Sequence, residues 1–307
     1  MRGEDVTDAD WIAVDWGMTN LRAWAIGADG GVLDSARSAD GMGMLDAGQA
    51  AFEAALIRVI DPWLPGSHAR DVVICGTAGA RQGWHEVPYR PVPAPAHDRR
   101  AVTTAPARDP RVRVSVIHGM SQTNPPDVMR GEETQVAGLL LRSPDFQGVV
   151  ALPGTHAKWA RIVDGEIFHF ASFMTGELFA LLAERSVLRH SLDPQGHDAE
   201  AFTDAFEETL SRPERAAARV LGLRSEDLLL DADPRAAASR LSGYLLGLEF
   251  AGARAYWLGQ PIALLASGAL AERYRTALEV VGADYRVHDP EACVLDGLRA
   301  VRAGLRG

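Results

Sequence analysis

One pattern occurs twice in this chain. An apolar run at Trp11–Asp15 breaks at a glycine turn, resumes as Leu21–Ile26, turns at Ala28-Asp29-Gly30-Gly31 and resumes as Val32–Ser38. Roughly 135 residues later the same order returns: Gly148–Pro153, a turn at Gly154-Thr155-His156-Ala157, Lys158–Val163, the turn Asp164-Gly165, and Glu166–Phe173. Apolar runs joined by short glycine-containing turns predict antiparallel hairpins. The likeness reaches into the first turn of each copy. Gly17-Met18-Thr19 answers to Gly154-Thr155, a basic residue follows each threonine by three (Arg22, Lys158), and a tryptophan follows that (Trp24, Trp159). A sheet unit duplicated at this distance points to a fold of two related halves.

The stretches between and after the copies are mixed. An amphipathic helix fits Ala47–Ile60, and Asp71–Cys75 is a short buried strand running into the small-residue turn GTAGARQGW. Residues 85–127 hold eight prolines and read as an ordered loop region with one strand, Val112–Ile117. Met129–Arg142 reads as a helix with an apolar stripe at Val136, Leu139 and Leu140. On that wheel Glu133 points inward and Glu132 sits at the edge of the same face, and an inward carboxylate needs a partner or a purpose. Helical periodicity covers Phe179–Arg189, Ala199–Leu210, Pro213–Leu221 and Pro234–Trp257. A buried strand then leads through a Ser267-Gly268 turn into a helix. Asp284–His288 reads as a last strand, and Asp289-Pro290-Glu291 opens a terminal helix to about Leu305.

Composition narrows the function. The 307 residues leave room for one large domain or two of moderate size, with 47% apolar and 23% charged residues as in ordinary globular proteins. A net charge of −10 argues against a nucleic-acid partner. The sequence has no apolar run of ~18 residues, so no membrane span is expected. The acidic opening MRGEDVTDAD is unlike a signal peptide, which makes the cytoplasm the expected location. Cys75 and Cys293 lie in apolar stretches and read as buried, reduced thiols rather than zinc ligands.

The paired turns carry chemistry. A tight glycine turn between strands exposes successive backbone N–H groups, a geometry suited to phosphate oxygens. Thr19 and Asn20 add neutral donors, and Arg22 or Lys158 adds charge. Asp15 could hold Mg²⁺ directly or through water, because that ion takes few carboxylates and keeps most of its waters. Two such hairpins facing each other would grip a polyphosphate.

On these residues the chain resembles the 2-dehydro-3-deoxygalactonokinase family, sugar-acid kinases of the actin/hexokinase/Hsp70-like ATPase superfamily. The likeness covers nearly the whole chain. It is carried by DWGMTNLRAW (15–24), CGTAGARQGW (75–84), PYRPVPA (88–94), MRGEETQ (129–135), LPGTHAKW (152–159), FMTGELFALL (173–182) and ASGALAERY (266–274). The resemblance implies an α/β fold of two related actin-like (ribonuclease H-like) ATPase domains with ATP in the cleft between them. The expected domains are 1–127, with the helix from 290 to 307 packing back onto it, and 128–289. It places Asp15, Gly17, Thr19, Asn20 and Arg22 at the first phosphate loop, and Gly154, Thr155, His156 and Lys158 at the second. Thr175, Gly176, Glu177, Ser267 and Gly268 fall near the nucleotide. Many superfamily members carry an aspartate in the second turn where this chain has Leu152-Pro153, so metal binding rests on Asp15. Met18, Ala80 and Ala157 stand where family members often have hydroxyl residues.

The implied reaction is ATP-dependent phosphorylation of 2-dehydro-3-deoxy-D-galactonate at O6, with Mg²⁺ accompanying ATP. Glu132 and Glu133 are the candidates for the carboxylate that meets the attacking hydroxyl. The helical wheel favours Glu133 as the buried one, an analogy with exopolyphosphatases favours Glu132, and both could instead cap their helix. Arg81 and Arg130 compete for the acceptor's carboxylate. Gly79, Trp84 and Tyr89 would line its site. Two alternatives keep the fold: another 2-keto-3-deoxy sugar acid as acceptor, or water, giving a phosphatase or exopolyphosphatase. A third, an actin-like assembly protein, gives the acid pair no role. The partners expected are ATP and the sugar acid, with no nucleic acid or membrane; a homodimer is left open.

Overall fold

The computed structural model describes residues 9–66, 68–98 and 100–306, the last by its backbone; residues 1–8 of the acidic opening lie outside them. The first repeat forms as read, with β1 (Trp11–Trp16), β2 (Leu21–Ile26) and β3 (Val32–Ser38). Helix α1 (Gln49–Ile60) follows, then β4 (Arg70–Gly76). Strand β1 is antiparallel to β2 and parallel to β4. Alternate residues of β1 serve two cores, as the two-residue period of a strand requires. Ile12, Val14 and Trp16 pack with Phe52, Leu56 and Ile60 of α1. Trp11 and Ala13 face the other way, with Trp24, Val73 and Cys75, onto Val294, Leu298 and Val301 of the C-terminal helix Pro290–Arg306.

The proline-rich stretch corrects the sequence reading. It holds β5 (Tyr89–Pro91), β6 (Ala94–Pro95), β7 (Val102–Ala105), β8 (Val112–Ile117), β9 (Gly119–Thr123) and β10 (Pro126–Met129). Strands β7 and β8 complete a six-stranded sheet in the order β3-β2-β1-β4-β8-β7, and β10-β9-β5 form a small sheet of their own. Pro91 and Pro126 lie in the two edge strands of that small sheet, where a missing N–H costs no ladder bond. Strand β8 forms at the bounds read from the sequence, while the others are too short to show a readable period.

Helix α2 (Glu132–Arg142) starts three residues later than its pattern predicts, because 126–129 are strand and Gly131 takes a φ of +108°. Helix α2 crosses the C-terminal helix through reciprocal glycines. A Cβ on Gly138 would come 1.8 Å from the Cys293 carbonyl oxygen, and one on Gly297 would come 2.1 Å from that of Thr134. By its contacts the chain divides into Met1–Phe146 with Val163–His169 and Pro290–Gly307, and Gln147–Ile162 with Phe170–Asp289. Helix α2 therefore belongs with the first unit, although a boundary at 127 would have given it to the second.

The second unit repeats the central pattern. Strand β11 (Gly148–Leu152) is antiparallel to β12 (Ala157–Val163) and parallel to β14 (Ile262–Leu265), which is parallel to β15 (Tyr285–His288). Strand β13 (Glu166–Phe173) precedes the helices α3 (Thr175–Arg185), α4 (Ala199–Ser211), α5 (Ala216–Leu230), α6 (Pro234–Gly252), the single turn α7 (Arg254–Trp257) and α8 (Gly268–Val280). Helix α3 begins four residues before its predicted start. Helix α5 runs to Leu230 rather than Leu221, and Leu228, Leu229 and Leu230 are exposed, so no buried stripe marks its end. Helices α4 and α6 meet closely because α6 offers glycines: a Cβ on Gly243 would lie 2.3 Å from the Phe202 carbonyl oxygen. That leaves Ser242, Leu245, Leu246 and Glu249, at helical spacing, on another face of α6.

Candidate active site

The first turn spans Gly17–Asn20, closed by the Gly17 N–H donating to the Asn20 carbonyl at 2.8 Å. It is braced from below: the Thr77 hydroxyl donates to the carbonyls of Trp16 and Gly17, and Met42 and Gly43 donate N–H bonds to Gly17 and Met18. Thr19 and Asn20 are exposed at the tip, and Asn20 Nδ2 donates to Thr19 Oγ1 at 2.9 Å. Asp15 and Arg22 are cross-strand partners, and their side chains form an ion pair. Asp15 is 6% exposed, and its Oδ1 faces the Cys75 thiol at 3.8 Å. Burial first, then the charges of Asp15 and Glu133, raise the Cys75 pKa well above its ordinary value, so it remains a neutral donor.

Glu132 and Glu133 open α2 with different surroundings. Glu133 is 1% exposed; its Oε2 accepts from the Gly131 N–H at 2.8 Å and its Oε1 from the Thr134 hydroxyl at 3.1 Å. Burial, and next the neighbouring Glu132 charge, push its pKa up to about 7. Glu132 is half-buried, with Oε2 accepting from the Arg130 N–H. Gly131 lies against Gly76, and Gly76 in turn against the Trp16 carbonyl. The acid pair and the first turn are thus joined by glycine-to-backbone contacts that no side chain could replace.

The two rival arginines differ plainly. Arg81 has an 80% exposed side chain that pairs with Glu86 at 3.3 Å. Arg130 stacks its guanidinium over Tyr89, 4.1 Å from the ring centroid, and donates Nη2 to the Val87 carbonyl at 2.9 Å. Its Nε and Nη1 are buried without a hydrogen-bond partner among the described residues. Gly79 and Gly119 make room for this stack: a Cβ at Gly79 would come 2.7 Å from Arg130 Nη1, and one at Gly119 would come 2.9 Å from the Tyr89 ring. Burial, then the charges of Arg90 and Arg130, lowers the pKa of His118, which marks a cationic neighbourhood. Trp84 is a core residue. It packs edge-on against Trp16 and donates its indole N–H to the Pro106 carbonyl at 2.8 Å.

The second turn follows β11. Gly154, Thr155 and His156 are half-buried, Lys158 is buried, and Lys158 stands opposite Leu152 in the strand register. The start of α3 docks on this turn. The Glu177 N–H donates to the Thr155 carbonyl at 2.9 Å, His156 Nε2 meets Glu177 Oε2, and a Cβ on Gly176 would come 2.4 Å from the Gly154 carbonyl oxygen. Above it lies a cavity of about 290 Å³ reached by Thr155, Thr175, Gly176, Ser242, Arg273 and Tyr274. Ser267 and Gly268 sit instead at the exposed start of α8, with Gly268 at a φ of +61°.

Sequence reading missed Arg273, whose guanidinium lies 5.7 Å from the Phe179 ring centroid, and the α6 face behind the cavity. One signal was available: Glu249 is the single charge in the apolar run Leu241–Gly252. No group of three or more His, Cys, Asp or Glu able to hold a metal occurs among the described residues. No helix among them is long and apolar enough to cross a membrane.

A family model described as 2-keto-3-deoxy-galactonokinase matches residues 15–301. A Rhizobium meliloti (strain 1021) protein named 2-dehydro-3-deoxygalactonokinase, with the qualifier "probable", is 39% identical over 94% of this chain and 95% of its own. The 2-dehydro-3-deoxygalactonokinase of Escherichia coli (strain K12) is 33% identical over 95% of this chain and 97% of its own. A Sinorhizobium meliloti crystal structure assigned the same activity superposes with a TM-score of 0.87 at 38% identity, covering 95% of each chain. The Clostridium difficile activator of 2-hydroxyisocaproyl-CoA dehydratase, solved with ADPNP, shares the fold at a TM-score of 0.53 and 12% identity over 96% of each chain. The fold is α/β, of the actin-like ATPase kind that the family resemblance implies.

Proposed function

The chain belongs to the 2-keto-3-deoxy-galactonokinase family, and from that premise we propose that it transfers the γ-phosphoryl group of ATP to O6 of 2-dehydro-3-deoxy-D-galactonate, giving the 6-phosphate and ADP. The observation that carries this reading is the family match from residue 15 to 301, which takes in both turns, the acid pair and Arg130. Water as the acceptor is not favoured by any relative named above.

Phosphoryl transfer is chiefly positioning and neutralisation of charge. The first turn offers backbone N–H groups with Thr19 and Asn20, and the second offers Gly154, Thr155 and the start of α3, whose positive end favours phosphate. Arg22 and Lys158 supply the charge. A metal must be judged by the donors present. Asp15 gives one hard carboxylate, with Oδ2 held by Arg22 and Oδ1 facing a weakly donating thiol, which suits a Mg²⁺ that arrives on the triphosphate and keeps most of its waters. When bound, that ion neutralises phosphate charge.

Glu132 meets the acceptor's hydroxyl and takes its proton as the O6–P bond forms and the bond to the ADP oxygen breaks. Its half-exposed position supports this role, while Glu133 is closed off behind it. The acceptor's carboxylate pairs with Arg130 over the Tyr89 face, taking a charge-assisted N–H from one of its two unpartnered nitrogens, Nε or Nη1, which lie on different edges of the guanidinium. Arg81 is spent on Glu86. His156, Thr175, Gly176 and Glu177 shape the nucleotide side, with Ser267 and Gly268 at its edge. The enzyme works in the cytoplasm, with homodimerisation open to measurement.

The test is ADP release with Mg-ATP across a panel of 2-keto-3-deoxy sugar acids, with mass spectrometry of the product. The galactonate-derived acid is expected to be the best acceptor and to carry the phosphate on O6. Equal ADP release without any acceptor would overturn the kinase reading.

A further inference from the structure

Behind the cavity wall, three elements of the second unit converge on one carboxylate. Glu249 of α6 is 2% exposed. Its Oε1 accepts the Trp159 indole N–H at 2.9 Å, from β12, and the Tyr274 hydroxyl at 2.6 Å, from α8. Its Oε2 accepts the Thr175 hydroxyl, from the first residue of α3. Thr175 and Tyr274 both line the cavity. A hydroxyl has one proton and two lone pairs. Each of these hydroxyls has given its proton to Glu249, and can offer a ligand only lone pairs.

We propose that Glu249 is a positioning residue that makes this stretch of the cavity wall an acceptor of hydrogen bonds, selecting a ligand part that donates them: the ribose hydroxyls of the nucleotide rather than its phosphates. The proposal rests on the kinase reading and adds to it which chemistry the wall recognises. Anionic oxygens are served by other groups, the turn N–H groups and the Arg273 guanidinium, which lies against the Phe179 ring on the cavity wall. Tying the wall from behind also fixes β12 one residue after Lys158, because Trp159 is held by the same carboxylate.

Glu249→Gln tests this with little change of volume. The amide keeps one acceptor oxygen but places two N–H donors toward Thr175, which turns the Thr175 proton out to the cavity. The readout is the affinity of the whole protein for Mg-ATP against Mg-2′-deoxy-ATP and Mg-3′-deoxy-ATP, measured by calorimetry without the acceptor. The wild-type protein is expected to prefer ATP to at least one deoxy analogue by about tenfold, the worth of one hydrogen bond. Glu249→Gln should bring that ratio to within about twofold, with a melting temperature close to wild type. Thr175→Val, which removes the acceptor outright, should do the same and decides the matter should Glu249→Gln fail to fold. Equal weakening of all three nucleotides by either variant would make Glu249 a plain structural support and overturn the proposal, as would an undiminished ratio. Wild-type binding of ATP without any preference overturns this proposal alone; no binding at all would overturn the kinase reading first.

Discussion

Trp24 and Trp159 hold matching places in the two repeats, and each gives its indole N–H to a glutamate from a distant helix. Trp24 reaches Glu291, in the first turn of the C-terminal helix, at 3.3 Å; Trp159 reaches Glu249 at 2.9 Å. The settings diverge from there. Glu291 is one-third exposed and also pairs with Arg37, so it pins a helix at the surface. Glu249 is sealed, and it also accepts from two hydroxyls on a cavity wall. The turns diverge in the same way. The first repeat sets Asp15 opposite Arg22, while the second sets Leu152 opposite Lys158. One duplicated frame thus carries a fixed ion pair on one side and an uncharged strand end on the other. Under the proposed function, metal-side charge and acceptor chemistry fall to the first copy and nucleotide recognition to the second.

The largest effect should come from erasing the ion pair that separates the copies. Asp15→Asn keeps the shape but loses the charge, and should lower kcat by about 10²- to 10³-fold with the fold intact, a typical loss for one charge-stabilising group. Near-normal turnover would end the claim that Asp15 distinguishes the first turn. Next is the acceptor side. Arg130→Ala should raise KM for the sugar acid about 10- to 100-fold, the worth of a charge-assisted hydrogen bond, and leave KM for ATP unchanged. Arg81→Ala should change neither. A rise in both constants for Arg130→Ala would blur the division between the copies.

The third effect is on stability. Glu133 titrates at about 7 in the folded chain against an ordinary 4.5, so between those values the folded state keeps a proton that the unfolded chain has released. Stability therefore declines as pH rises through that window and is level above it, by up to ~3 kcal/mol. Melting curves of Glu133→Gln from pH 4 to pH 8 should lack the decline, and a decline that persists would assign it to another group. The smallest effects compare the tryptophans. Trp159→Phe leaves a buried carboxylate short of a donor and should cost about 1–3 kcal/mol, whereas Trp24→Phe, facing a one-third-exposed partner, should cost under ~1 kcal/mol beyond its packing. Equal losses in chemical denaturation would mean that the two links are equivalent after all.

What the sequence displayed was local. The repeated strands, their turns and the inward Glu133 follow from periods of two and of 3.6 residues, and each of those is set by near neighbours along the chain. Trp84 lay beside a glycine turn and looked like a ligand wall, but its indole is paid for by a backbone carbonyl in the core. Arg81 and Arg130 could not be ranked, since the choice depends on Glu86, Val87 and Tyr89, which only the folded chain brings to bear. The Glu249 node joins residues up to 90 apart, so its partners were out of reach of any periodicity. Apart from Val112–Ile117, the proline-rich strands stayed hidden for a different reason: at two to five residues they are too short to alternate visibly.

The reciprocal glycine crossing of α2 with the C-terminal helix has a consequence for synthesis. A ribosome delivers the acid pair long before Cys293 and Gly297, on which their helix is seated. A nascent chain therefore cannot hold its proposed proton acceptor in working position until the helix Pro290–Arg306 has emerged, and a message truncated ahead of that helix would yield a second unit with its cavity but an unseated acid pair.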